Sequence, residues 1–219
     1  MKNLYYLVLL ILPMSLFSIE KPVFDTVLYK QIGDVELNFH VFNPEGHTKE
    51  SKSPCVVFFF GGGWAGGSPR QFYQQAERFR EWGIVAISAE YRIKSKHKTT
   101  PFECVKDGKS AVRWIREHAN ELGIDFNRII AAGGSAGGHV AACTGVIEGH
   151  EEAGEDTGIS SVPDAMILFN PVLDTTEKGY GLGKVGEDRK TEISPCHNIK
   201  ADVVPTLLLH GTGDTAVPF

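Results

Sequence analysis

Hydrophobic and polar residues alternate over two stretches near the start of the chain, 22–30 and 35–42, with Gly33 and Asp34 between them. Alternation with a period of two is typical of strands with one covered face, and a Gly-Asp pair suits a tight turn. The next apolar run, 54–60, does not alternate, as expected for a strand covered on both faces. The pattern therefore predicts an antiparallel hairpin followed by a buried parallel sheet.

Beyond residue 60, segments with helical periodicity take turns with short apolar runs. The predicted helices cover 71–82, 104–122 and 135–147, and the predicted strands cover 84–89, 128–132, 165–169 and 206–210. Repeated strand–helix units favour an α/β fold, with a doubly wound and mostly parallel sheet in one domain. Residues 170–202 lack periodicity and predict an excursion above the sheet, a lid or pocket wall. The acidic loop 148–156 is predicted to be a disordered tract.

The first residues carry one positive charge, at Lys2, followed by an apolar run from Leu4 to Leu16. This order is typical of a secretory signal peptide. A membrane-spanning helix needs about 20 apolar residues, so the run is short for one. We expect a signal peptide at 1–18, a single α/β domain at 19–219, and a secreted or periplasmic protein without a stable membrane span. An uncleaved anchor is the alternative.

Composition narrows the choice of partners. Lys and Arg number 22 against 27 Asp and Glu, for a net charge of -5, and no long basic run occurs. A nucleic-acid partner is therefore not expected. The four cysteines show no metal-ligand spacing, so no metal is predicted. Cys55 and Cys143 fall in predicted core elements, where free buried thiols are ordinary, and a Cys104–Cys196 disulfide remains open.

The strongest chemical motif is Gly133-Gly134-Ser135-Ala136-Gly137, which fits G-x-S-x-G. A predicted strand precedes it and a predicted helix follows, which is the context that a nucleophile elbow requires. In that turn, glycines two before and two after the serine let the helix pack back on the strand. The motif predicts Ser135 as nucleophile, with the alternative of a Gly-rich turn and a capping serine.

A second glycine-rich segment, Gly61-Gly62-Gly63-Trp64, follows the buried strand that ends near Phe60. Such a backbone can turn its N–H groups toward a ligand oxygen, as in an oxyanion hole. A phosphate-binding loop is disfavoured because no G-K-[ST] follows. Trp64 is predicted to line the substrate pocket, with a hydrophobic plug as its alternative role.

An acidic residue, Asp214, follows the last predicted strand in His210-Gly211-Thr212-Gly213-Asp214. Serine followed by an acid is the chain order of α/β-hydrolases, in which the acid orients a histidine. Without the other motifs, Gly-Asp at this place would read as a simple turn. Beside them, Asp214 is predicted to be the catalytic acid.

With these motifs, the chain resembles the α/β-hydrolase superfamily, in particular the esterase and lipase group related to hormone-sensitive lipase and to bacterial feruloyl and acetyl-xylan esterases. The matching stretches lie within 54–219 and read FFFGGGWAGGSP, ISAEYRI, ECVKDGKSAVRWIREHA, RIIAAGGSAGGHVAA, LFNPVLD and LLLHGTGDTAVPF. The resemblance implies that Gly62, Gly63 and Ala136 form the oxyanion hole and that Asp214 is the acid.

Two departures from this family stand out. The family often has His where this chain has Phe60, a usually structural position. The family also places its catalytic histidine beyond one more helix and strand after the acid, so we expect a domain truncated at its C-terminus, lacking its last strand and helix. The eight histidines present are expected to be structural or solvated: His40, His47, His97, His118, His139, His150, His197 and His210.

The resemblance implies a serine carboxylic-ester hydrolase that works through an acyl-enzyme and needs no cofactor. Its expected substrates are small acyl esters, with acetyl or feruloyl groups on polysaccharide as candidates. A serine peptidase of the same fold is one alternative, and a catalytically dead binding protein is another. The sequence leaves the oligomeric state open.

Overall fold

The computed structural model describes residues 23–219, and its centre is a seven-stranded mixed sheet. The strands are β1 (Asp25–Ile32), β2 (Val35–Phe42), β3 (Ser53–Phe59), β4 (Val85–Ala89), β5 (Ile124–Gly134), β6 (Ala165–Phe169) and β7 (Thr206–Leu209). Their order across the sheet is β1-β2-β4-β3-β5-β6-β7. β1 and β2 pair antiparallel, as do β2 and β4, whereas the pairs from β4 through β7 are parallel.

The helices lie between these strands. They are α1 (Tyr73–Glu81), α2 (Lys94–His97), α3 (Pro101–Glu117), α4 (Ala136–Val146), α5 (Leu182–Val185) and α6 (Pro195–Asn198), with short 3-10 turns at Pro69–Phe72 and Glu187–Arg189. α3 and α4 pack on each other and on β5, while α1 packs on β4 and β2. The central strands are therefore covered on both faces, and every side chain from Cys55 to Phe59 is buried.

The predicted α/β class is confirmed. The hairpin turns at Gly33 and Asp34, with Ile32 paired to Val35. The apolar run 54–60, which does not alternate, corresponds to β3, and β3 lies between β4 and β5 in the parallel part of the sheet. Residues 170–202 form the predicted excursion, which contains the short helices α5 and α6. The predicted signal peptide at 1–18 lies outside the described residues.

The prediction of a disordered tract at 148–156 is wrong, because ion pairs hold this acidic loop on the protein. Glu151 contacts Lys109 and Arg113 at 2.5 Å each. Glu152 contacts Lys30 at 2.9 Å and Arg92 at 2.5 Å. The cations belong to β1, α3 and the segment after β4, and their side chains are nearly buried. The loop thus supplies counter-charges to buried cations, together with Asp107, which also pairs with Lys30 and Arg92.

All four cysteines are free, so the open Cys104–Cys196 disulfide is not formed in this structure. Cys104 is buried and its thiol donates to the Arg92 carbonyl at 3.1 Å, whereas Cys196 is exposed. Within residues 23–219, none of the helices has the length and apolar character needed to cross a bilayer.

Candidate active site

Ser135 occupies the sharp turn between β5 and α4. Its φ of 55° and ψ of -122° lie outside the conformations that a non-glycine residue normally adopts. The surrounding backbone holds the turn, since Ser135 N donates to Phe169 O at 3.0 Å and Ser135 O accepts from Val172 N at 3.2 Å. The residue is half-buried, at the start of α4. A strained serine at a strand–helix junction is the geometry of a nucleophile elbow.

Gly133 and Gly137, two residues before and after the serine, leave no room for a side chain. A Cβ on Gly133 would lie 2.3 Å from Gly137 O, and one on Gly137 would lie 2.1 Å from Phe59 O. Real Cβ atoms do not approach a carbonyl oxygen so closely. At these two positions the backbone of α4 packs directly against the backbone of β3 and β5, and the elbow requires this close packing.

The glycine loop after β3 lies directly beside the elbow. A Cβ placed on Gly61 would be 3.3 Å from Ser135 Cβ. Gly62 and Gly63 have positive φ values of 131° and 60°, which favour glycine. Within residues 23–219, neither of their N–H groups donates a hydrogen bond. Ala136 follows the serine as the first residue of α4. The backbone therefore leaves N–H groups available next to the serine, as an oxyanion hole requires.

Tyr91 and Gln71, for which the sequence predicted no role, hold the start of this loop. Tyr91 donates its hydroxyl hydrogen to Phe60 O at 2.5 Å, and its ring stacks on Phe60 with 4.2 Å between centroids. The Gln71 side-chain carbonyl accepts from Gly61 N. Tyr91 falls in the stretch ISAEYRI, which carried the family resemblance but no stated role. These residues position the loop from neighbouring segments.

Trp64 lies under the glycine loop rather than on an open wall. Its indole is 1% exposed and donates from Nε1 to His139 Nδ1 at 3.3 Å. A Cβ on Gly181 would lie 2.6 Å from the indole, so the excursion covers the ring. This packing corresponds to a hydrophobic plug, the alternative role predicted for Trp64. The pocket role predicted for Trp64 stays a prediction.

His139 joins three parts of the site from within α4. Its Nε2 donates to Ile193 O at 2.7 Å, while Nδ1 accepts from Trp64. Burial lowers the pKa of His139 to about 4, against the backbone hydrogen bond to Ile193, which raises it. The imidazole is therefore neutral near neutral pH, with its proton on Nε2. It joins the glycine loop and the excursion to α4.

Asp214 lies in the loop after β7. Its Oδ1 accepts from Val217 N at 3.0 Å and Ala216 N at 2.9 Å. These backbone hydrogen bonds, with smaller effects of His210 and Asn170, lower the pKa of Asp214 below its usual value. His210 Nε2 lies 3.8 Å from Asp214 Oδ2. The carboxylate is thus ionised and held at the same sheet edge as the serine.

None of the eight histidines, all of which lie within residues 23–219, hydrogen bonds to the hydroxyl of Ser135. His210 Nε2 faces Val217 O at 2.9 Å, and His139 has both ring nitrogens occupied. The structure therefore brings together a strained serine, free backbone N–H groups and an ionised carboxylate, without a base in contact with the serine.

These groups share one edge because β3, β5 and β7 run parallel. Gly61, Ser135 and Asp214 each follow the carboxyl end of one of these strands. Ligand sites of open α/β sheets form at this edge. A serine at such an edge can accept an acyl group. The N–H donors beside it can stabilise the tetrahedral oxyanion that forms before the acyl group is transferred.

Comparison with known proteins agrees with this arrangement. A structure of Thermogutta terrifontis esterase 2, phosphoramylated by tabun, superposes with a TM-score of 0.86 at 43% identity, over 90% of this chain and 75% of that one. Esterase LipC of Mycobacterium tuberculosis is 28% identical over 76% of this chain. An arylesterase of Saccharolobus solfataricus is 28% identical over 69% of it.

The chain spans 45% of the length of LipC and 49% of the length of the arylesterase. The BD-FAE family model matches residues 40–219, which include the glycine loop, the elbow and the loop of Asp214. The chain therefore belongs to the BD-FAE family and has the fold of the α/β-hydrolase esterases.

Proposed function

We propose that the whole protein is a serine carboxylic-ester hydrolase in which Ser135 attacks the ester carbonyl. The observation that carries this proposal is the strained elbow at Ser135, adjacent to a loop whose Gly62 and Gly63 N–H groups have no acceptor within residues 23–219. Strain of this kind costs about 1–3 kcal/mol and persists where surrounding structure imposes it, commonly at active sites.

In the proposed reaction, the hydroxyl of Ser135 loses its proton to a histidine as its oxygen bonds to the carbonyl carbon. The oxyanion that forms is stabilised by N–H groups of Gly62, Gly63 and Ala136. When this intermediate collapses, the bond to the alcohol breaks, the histidine returns the proton to the departing alcohol oxygen, and an acyl-serine remains that water then hydrolyses. Asp214 would orient the histidine and stabilise its protonated form. No cofactor enters these steps.

For the substrate, we propose esters of short acyl groups. Other structures of Thermogutta terrifontis esterase 2 are described as propionate bound and butyrate bound, at 43% and 42% identity to this chain. Acetyl groups on polysaccharide fit the same short acyl class, and feruloyl groups would need more room.

The first prediction concerns Ser135. A further structure of the same esterase is phosphorylated by paraoxon. Incubation of the whole protein, including the histidine of the proposed reaction, with paraoxon should add one diethylphosphoryl group, located on Ser135 by peptide mass spectrometry. Ser135→Ala should bind no label and lose p-nitrophenyl butyrate hydrolysis by several orders of magnitude.

Ser160, on the loop before β6, offers a matched control, and Ser160→Ala should label as the wild type does. Label that persists in Ser135→Ala would refute the assignment. The second candidate function, a non-catalytic binding protein, is favoured by the lack of a histidine in contact with Ser135 within residues 23–219. Wild-type protein that binds butyrate but neither labels nor hydrolyses would support that reading.

A further inference from the structure

Outside the candidate active site, the excursion brings together three side chains suited to a metal ion. Asp174, Cys196 and His197 each offer one ligand atom, and these atoms lie within 4.8 Å of one another. Cys196 Sγ is 3.2 Å from His197 Nδ1. Ligand atoms of a tetrahedral zinc site are about 3.5 Å apart, so only small side-chain rotations separate this cluster from coordination geometry.

The backbone that carries these ligands is fixed before any ion binds. Cys196 N donates to Leu173 O at 2.9 Å, and Thr175 N donates to Ser194 Oγ at 3.2 Å. The segment of Asp174 is thereby tied to the segment of α6. A site built on two segments held in register loses little conformational entropy when the metal arrives.

The ligands are also positioned by their surroundings. The Asp174 carboxylate is oriented by the backbone N–H of Thr176, which donates to its Oδ1 at 2.8 Å. The hydroxyl of Ser194 lies 2.9 Å from His197 Nδ1, and an ion bound at this nitrogen would displace that contact. Cys196 is exposed, unlike the other three cysteines.

The surroundings leave room for an ion and its solvent ligand. Asp174 and Cys196 line an open cavity of about 340 Å³, which His210 borders from the side of the Asp214 loop. A thiolate, an imidazole and a carboxylate form a donor set that favours zinc over magnesium or calcium. Three protein ligands would leave the fourth position of a tetrahedron to water.

We propose that Asp174, Cys196 and His197 form a zinc site that joins the start of the excursion to α6. The metal replaces the thiol proton of Cys196, which is released to solvent, and takes up one lone pair from each of the other two ligands. This site does not depend on the esterase proposal, because it shares no residue with Ser135 or the glycine loop.

The test is titration of metal-free, reduced protein with Co²⁺, a spectroscopic substitute for Zn²⁺. One equivalent should produce the visible bands of tetrahedral cobalt and an ultraviolet thiolate-to-cobalt band, and added Zn²⁺ should displace both. Cys196→Ser should abolish the thiolate band. Asp174→Asn and His197→Gln should each weaken binding by about tenfold or more.

His150→Gln is the control, because His150 also lies near a carboxylate, Glu192 at 3.2 Å, but has no cysteine beside it. It should bind cobalt like the wild type. As a second measurement, Zn²⁺ should slow the reaction of Cys196 with a thiol reagent in unmutated protein. A thiolate band that survives in Cys196→Ser, or an unprotected thiol at millimolar zinc, overturns the proposal.

Discussion

Ser135 adopts its conformation because its neighbours exclude the alternatives. Backbone hydrogen bonds to Phe169 and from Val172 hold the residue at its positive φ. The G-x-S-x-G motif predicted this turn, since local spacing alone requires the glycines. Tyr91 and Gln71 could not be assigned in the same way, because each contacts the glycine loop from outside the motif, across 31 and 10 residues of chain.

Gly137→Ala should destabilise the protein by about 2 kcal/mol or more, because the new Cβ would lie 2.1 Å from Phe59 O and 2.4 Å from Phe60 O. Urea unfolding followed by circular dichroism measures the loss. Gly183→Ala is the matched control, since a Cβ at that helical position meets nothing within 4 Å. Equal stability of the two variants would contradict the close approach of α4 to β3.

His139 should make the protein less stable in mild acid. Its pKa is about 4 in the folded state and about 6.5 when exposed, so the unfolded chain takes up the proton first as the pH falls. The free energy of unfolding should therefore decrease through this window, by about 2 kcal/mol between about pH 7.5 and about pH 5.

Denaturant unfolding across that pH range provides the measurement. His139→Gln removes the titrating group and should flatten this part of the profile, although it lowers stability at neutral pH by disturbing the contacts to Trp64 and Ile193. An unchanged slope in His139→Gln would assign the pH dependence to other groups.

Among the elements, the acidic loop 148–156 shows where sequence patterns mislead. A run of charged residues and glycines has the composition of a disordered segment, because composition does not show which distant residues the segment contacts. Those partners lie on β1, on α3 and after β4, and they are cations whose burial needs compensation. By contrast, the start of α3 has a local signal, since Thr100 before the helix and Glu103 in its first turn form a capping box around Pro101.

Arg113→Met should release this loop. Arg113 is nearly buried and contacts Glu151 and Glu155, so its loss should cost about 2 to 3 kcal/mol, remove the ion pair of Glu155 and leave Glu151 with Lys109. Cleavage by a glutamate-specific protease should shift to 148–156. The control is Arg78→Met, which breaks an exposed pair with Glu81 and should cost about 1 kcal/mol or less. Protection equal to the wild type would show that the loop is held by other contacts.

For the whole molecule, the alternation of strand and helix patterns was sufficient to predict the class of sheet and its antiparallel start. The order of strands was not predictable from them, because β3 lies between β4 and β5 through contacts between segments distant in the sequence. The role of Trp64 shows the same limit: the motif placed it beside the site, but only the fold shows that the excursion covers it.

We propose that the protein is exported, on the basis of Lys2 and the apolar run Leu4–Leu16. Expressed in a bacterial host with an intact secretion system, it should appear outside the cytosol with an N-terminus near Ile19. Mass spectrometry of the secreted fraction measures this. Replacement of Leu9 and Leu10 by Asp should retain the protein inside, whereas recovery of only uncleaved chains from the cytosol of cells making the unmutated protein would refute export.

The buried imidazole of His139 also gives the molecule a built-in spectroscopic reporter. Because its Nε2 proton faces Ile193 O in a site without solvent access, this proton should exchange slowly and appear as a separate downfield proton resonance. Ile193 belongs to the excursion and the imidazole to α4, so this resonance would broaden or vanish whenever the excursion moves away from α4. Movement of the excursion could thus be followed in solution by proton NMR, without any label near the serine.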